Sequence, residues 1–211
     1  MTTDLVIVGA GGHGRELYDT VLAVNAAVPT FRVLGFVDDA PSHPDRLERL
    51  GMPLLGDTDW LLANPCAFVL GIGTSEVRSR LAARLEGAGL EPATVVHPSA
   101  HVGPDVVFGD GVVVYDRSTV TTNVRIGRHT HLNVGCAVQH DTVVGDLVQF
   151  SPGVLVNGDC VLEDRVFLGT GAVITRGNRV GAGARVGAGA VVLDDVAPGS
   201  TVVGIPARTT P

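Results

Sequence analysis

Apolar positions along this chain follow two different rhythms. Up to about residue 92 they come in short blocks: Leu5-Val6-Ile7-Val8, Phe31 to Val37, and Ala67-Phe68-Val69-Leu70. Each block runs into glycine or aspartate, at Gly9, Asp38-Asp39 and Gly71-Ile72-Gly73. Blocks of this length with such ends predict buried strands. Between them the pattern predicts a helix from Gly12 to Ala26 and another opening at Ser75, with Ser75 or Thr74 as its N-cap. Strands alternating with helices predict a small parallel sheet with crossovers.

From Val96 onward a strict period of six takes over. Every sixth residue is large and apolar: Val96, Val102, Phe108, Val114, Val120, Ile126, Leu132, Val138, Val144, Phe150, Val156, Leu162, Leu168, Ile174, Val180, Val186 and Val192. With apolar usage near one half, a random phase would do this roughly once in 10⁵ trials. Four residues after each stands a small or β-branched residue, such as Thr130, Cys136, Thr142, Cys160 and Ala184, with Asn178 the one misfit. Such repetition predicts a solenoid. Large residues inside and small ones at the corner describe a triangular prism, three hexads to a coil. Stacked as parallel strands about 4.8 Å apart, about six coils stand roughly 28 Å tall. The predicted organisation is a Rossmann-like α/β domain over residues 1–92 and a parallel β-helix with a C-terminal tail over residues 93–211.

Composition narrows the function. The net charge of −7 lacks the basic footprint that a nucleic-acid partner requires. All fifteen basic residues are Arg, so any chemistry that needs a lysine (Schiff base, pyridoxal phosphate anchor, Walker lysine) is excluded. No apolar run is long enough to span a bilayer, and the start MTTDLVIVG lacks a basic leader region, so no membrane association and a cytoplasmic location are expected. Three cysteines, Cys66, Cys136 and Cys160, are too few for a disulfide framework. The last two fall on inward positions and read as core.

Two stretches carry chemistry. In Val138-Gln139-His140-Asp141 the histidine is third in its hexad, so it occupies neither inward position and points out of the prism. An imidazole beside a carboxylate suits proton abstraction near neutral pH. In Gly9-Ala10-Gly11-Gly12-His13-Gly14 the pattern G-x-G-x-x-G sits between a strand and a helix, with Asp38 and Asp39 at the end of the next strand. Taken alone this suits a dinucleotide. About 90 residues make barely half of a two-lobed dinucleotide fold, however, and the glycines with the helix N-terminus fit any pyrophosphate.

With these stretches in view, the chain resembles the left-handed β-helix acyltransferases of the hexapeptide-repeat type. More narrowly it resembles bacterial sugar acyltransferases that include bacillosamine and perosamine N-acetyltransferases and sialic acid O-acetyltransferases. The matching motifs are Val8 to Arg15, Gly35-Phe36-Val37-Asp38-Asp39, Gly71-Ile72-Gly73 with Arg78, Val138 to Asp141, and Gly204-Ile205-Pro206-Ala207-Arg208. The left hand of the helix comes from this resemblance, since crossovers are ordinarily right-handed.

The resemblance implies acetyl-CoA as co-substrate, no metal, and an active site shared between prisms of a homotrimer. His140 would be the general base and Asp141 its partner, a position where relatives often carry Glu. Gly158, one coil above His140, would leave room for the thioester and supply an oxyanion N–H. Gln149 stands where relatives carry a second histidine, and Ala188 and Arg208 would contact the coenzyme. Gly9, Gly11, Gly12, His13, Gly14, Asp38, Asp39, Gly73 and Arg78 would bind a nucleotide-linked amino sugar as acceptor. Other readings stay open at this point. They are O-acetylation of sialic acid or another non-nucleotide acceptor, a zinc carbonic-anhydrase-like trimer using His129, His131 and His140, and a non-catalytic scaffold.

Overall fold

The computed structural model describes residues 2–43 and 45–210. By its internal contacts the chain divides into two compact units, one ending at Pro98 and the other beginning at Ser99. That break falls one hexad later than the expected change after residue 92.

The first unit is built on β1 (Thr3–Val8), β2 (Phe31–Val37), β3 (Leu54–Gly56) and β4 (Ala67–Leu70), all parallel, in the spatial order β3-β2-β1-β4. Leu5 to Val8 are buried on both faces, as a strand covered by crossovers on either side must be. The crossovers carry α1 (Gly12–Ala27), α2 (Asp45–Glu48) and α3 (Thr58–Ala63), and α4 (Ser75–Gly87) follows β4. α1 and α4 open as the sequence predicts, and Thr74 is the N-cap of α4, although its side chain makes no capping bond. α2, β3 and α3 were not foreseen, because segments of three to six residues are too short to display a period.

Parallel register places the carboxyl ends of β1, β2 and β4 side by side, with Val8 opposite both Val37 and Leu70. Gly9, Asp38 and Gly71 therefore emerge along one edge, where open parallel sheets carry their ligand sites.

The second unit is a left-handed parallel β-helix of two- and three-residue strands. Ala137 pairs with Leu155, Val143 with Val161 and Gln149 with Phe167, so each of the three faces advances one coil every 18 residues. The inward positions behave as the hexads require: Val120, Val138, Val156 and Ile174 are all fully buried. Val102 is an exception at 38% exposure, because the first coil has a neighbouring coil on one side only. Asn178, the misfit, satisfies its buried amide by donating to the carbonyl and hydroxyl of Thr175 at 2.8 and 2.7 Å. Cys136 and Cys160 are core residues, and burial pushes the Cys136 thiol up to about 11.

One further regularity governs the corners. The fourth residue of successive hexads adopts positive φ: Asp105, Gly111, Arg117, Asn123, His129, Gly135, Asp141, Leu147, Gly153 and Asp159 lie between 52° and 72°. This left-handed region favours Gly, Asn and Asp. Asp141 thus stands where its own backbone conformation is preferred over that of Glu.

Candidate active site

His140 and Asp141 lie at the corner where the face bearing Ala137–Val138 turns into the face bearing Val143–Val144. The corner is half-exposed, so both side chains meet solvent. His140 Nδ1–H donates to Asp141 Oδ2 at 2.7 Å, since a carboxylate can only accept. That bond leaves Nε2 as the ring's free lone pair. Asp141 has sufficient reach for the pairing. Its other oxygen accepts from Asn123 Nδ2 at 2.5 Å. The Asn123 amide first, and the His140 ring second, hold the Asp141 carboxyl below the usual carboxylate range.

Gly158 occupies the next coil at the same corner. A Cβ there would overlap the His140 ring at Cε1, Nε2 and Nδ1. The imidazole thus lies in the space that a Cβ on residue 158 would take. Among the described residues no backbone carbonyl accepts from Gly158 N–H. Asp159 follows at φ 60° and is held by Arg176, whose Nε donates to Oδ2 at 2.8 Å. Asn123, Asp159 and Arg176 join this corner without having stood out in the sequence. Their signal was present, for they stand 18 residues from Asp141, Asp141 and Gly158 respectively.

The other β-helix residues singled out lie elsewhere. Gln149 is buried on the third face of the prism, where its Nε2 donates to the Phe150 carbonyl at 3.0 Å. Arg208 belongs to the antiparallel strand that closes the same sheet, and Ala188 follows its Arg185–Val186 strand. In a triangular cross-section that sheet is opposite the His140 corner. One chain therefore does not bring the two groups together.

His129 and His131 are buried, and they share no metal-binding geometry with His140. Among the described residues the group able to share an ion is His140, Asp141 and Asp159, and Arg176 already engages Asp159. Neither His129 nor His131 belongs to that group.

In the first unit the glycine-rich turn is held from several sides. Gly9 has φ +107°, and a Cβ on Gly14 would overlap the Gly9 carbonyl oxygen. A Cβ on Gly71 would lie 2.5 Å from Gly14 Cα, so these glycines let α1 pack directly on β1 and β4. Gly11 and Gly12 differ from them: a side chain on Gly11 would meet nothing within 4 Å. Asp38 Oδ2 accepts from Ala10 N at 2.7 Å, closing the turn, and Asp39 Oδ1 accepts from Thr58 N at 2.8 Å at the start of α3.

Arg78 lies under this loop. It is fully buried, and its Nη1 donates to the carbonyls of Ile72 and Gly73 at 2.7 and 3.3 Å. It supports the loop at residues 72 and 73. Burial first, and the Arg78 charge second, lower His13 to about 4, so its ring is neutral at physiological pH.

Among the described residues no helix is long and apolar enough to cross a membrane.

Comparison with known proteins covers both units. Residues 4–85 match the family described as PglD N-terminal domain. The chain is 37% identical over 213 residues to a GDP-perosamine N-acetyltransferase of Escherichia coli O157:H7, covering 96% of this chain and 94% of that protein. Among solved structures it superposes on PerB from Caulobacter crescentus in complex with CoA and GDP-perosamine, with a TM-score of 0.89 and 30% identity over 99% and 97% of the two chains. It also superposes on the acetyltransferase domain of PglB from Neisseria gonorrhoeae in complex with acetyl coenzyme A, with a TM-score of 0.89 and 27% identity over the full length of both chains.

Proposed function

Since this chain belongs to the hexapeptide-repeat sugar acyltransferases, we propose that it transfers an acetyl group from acetyl-CoA to the amine of a nucleotide-linked amino sugar. The observation that carries the chemistry is the corner itself. A half-exposed imidazole has Nδ1 tied to a carboxylate and Nε2 free, and it rests against a glycine whose N–H donates to no backbone carbonyl among the described residues. The relatives supply the acceptor class, and the start of α1, where a Cβ on Gly11 would meet nothing within 4 Å, leaves its N-terminal N–H groups open to an anion.

In this mechanism the acceptor amine attacks the thioester carbonyl carbon. His140 Nε2 takes the ammonium proton as the C–N bond forms, and Asp141 stabilises the resulting imidazolium. Gly158 N–H donates to the developing oxyanion. Collapse breaks the C–S bond, and the imidazolium returns its proton to the coenzyme A thiolate.

The division of residues across the prism supports a shared site. Gln149, Ala188 and Arg208 border the face opposite His140, so two copies side by side can unite what one chain separates. A homotrimer with a site at each junction meets that requirement.

The test is a thiol-release assay with acetyl-CoA against a panel of nucleotide-linked amino sugars and free sialic acid. Turnover with an aminodeoxy nucleotide sugar, giving an N-acetylated product by mass, is expected. Turnover confined to sialic acid would replace this acceptor with a hydroxyl.

A further inference from the structure

The His140–Asp141 pair is exposed, and exposed ion pairs are held weakly, by about 0–1 kcal/mol at most. Two rotatable side chains joined by one bond of that strength would spend much of their time apart. A second carboxylate stands nearby, since ligand atoms of His140, Asp141 and Asp159 all lie within 4.8 Å of one another. Something must assign the imidazole to Asp141.

Two neighbours do so. Arg176 engages Asp159 through Nε at 2.8 Å and Nη2 at 2.5 Å, drawing that carboxylate toward its own guanidinium. Asn123, one coil below Asp141, donates to Asp141 Oδ1 while Oδ2 faces His140. We propose that Asn123 is a positioning residue for the transfer reaction: its amide anchors the Asp141 carboxylate so that Oδ2 stays on His140 Nδ1. This proposal rests on His140 being the base.

Backbone conformation narrows what could stand at position 123. Its φ is 56°, where Gly, Asn and Asp are favoured. Glycine offers no side-chain donor there, and aspartate would set a third carboxylate against Asp141. Of the three, Asn alone can hold the carboxylate from behind. The simpler account, that Asn123 merely suits a left-handed corner, predicts that Asn123→Gly changes nothing.

Among the described residues the charged groups facing the imidazole are Asp141, Asp159 and Arg176. Asn123→Gly frees Asp141 to swing away, which removes negative charge from the ring and moves the His140 titration to lower pH. Asn123→Asp adds negative charge and moves it to higher pH. Each displacement should be about half a unit to one unit. It can be read on the free full-length enzyme from histidine Cε1 resonances, with the His140 signal identified by its loss in His140→Ala. Both variants should keep the parent melting temperature. Asn123→Gly should lower kcat about tenfold with little change in either KM, as displacement of a reacting group does.

Opposite displacements of the His140 titration in the two variants support the proposal. Displacements that are absent or share one sign overturn it, and return Asn123 to a corner residue. The His140→Ala enzyme, assayed alongside on a verified acceptor, separates the two levels. Near-normal turnover there removes the base and this proposal with it, whereas an inactive His140→Ala with unmoved Asn123 titrations removes the proposal alone.

Discussion

The His140 corner and the glycine-rich turn both gather candidate functional residues, yet they relate to the fold in opposite ways. In the β-helix the first and fifth positions of each hexad make the core. The third and fourth, which carry His140, Asp141, Gly158 and Asn123, are left to chemistry. In the first unit the residues expected to meet a ligand also build the turn itself. Gly9, Gly14 and Gly71 set the approach of α1 to the sheet, Asp38 closes the turn, and buried Arg78 supports residues 72 and 73. A repetitive scaffold separates function from stability, and a single unrepeated turn fuses them.

The largest effect expected from that difference is at Gly14. A methyl group there overlaps the Gly9 carbonyl oxygen, a backbone atom that cannot swing aside. Gly14→Ala should cost the first unit about 3 kcal/mol or more. For a unit of this size that lowers its melting temperature by roughly 12 °C or more in calorimetry. Parent-like melting would mean that the turn is not under the constraint described, and the contrast between the two regions would collapse.

His140→Ala is the counterpart in the β-helix. The ring is half-exposed and packs against Gly158 at the corner, so its loss empties no core position. The melting temperature should move by no more than about 2 °C. The rate on a verified acceptor should fall by about 10²–10⁴, the usual worth of a positioned base. A large loss of stability would show that this corner is as entangled with the fold as the glycine turn.

The same contrast explains what was legible in the sequence. Hexads could be read because each coil repeats the same burial demand, and seventeen concordant large residues leave little room for chance. His140 and Asp141 stood out as an imidazole next to a carboxylate on positions the core does not claim. Asn123, Asp159 and Arg176 stand on such positions too, but each is an ordinary corner residue until projected onto its neighbour one coil away. In the first unit Arg78 was legible as a motif residue and illegible as a buried one. Local pattern gives no sign that a guanidinium lies under a loop, accepted by two carbonyls. Gly158 shows the same limit: the glycine could be found by spacing, while the atom filling its space was known only once the ring was placed.

The smallest expected effect is at Gly11, and it sharpens the comparison by testing an exception within the turn. Its φ of −68° and ψ of −173° suit any residue, and a Cβ would meet nothing within 4 Å. Alanine is a poorer N-cap than glycine for α1, which costs about 0.5–1 kcal/mol. Against that, replacing glycine reduces the freedom of the unfolded chain, a gain of about 0.4–1 kcal/mol. The two nearly cancel, so Gly11→Ala should melt with the parent, unlike Gly14→Ala three residues away. Its methyl would project into the opening at the start of α1, where a pyrophosphate would approach the backbone N–H groups. The acceptor KM should rise about fivefold while the KM for acetyl-CoA and kcat stay near parental values. A raised acetyl-CoA KM with normal acceptor binding would exchange the roles proposed for the two units. An enzyme unchanged in every constant would mean that no ligand comes within a methyl group of this turn.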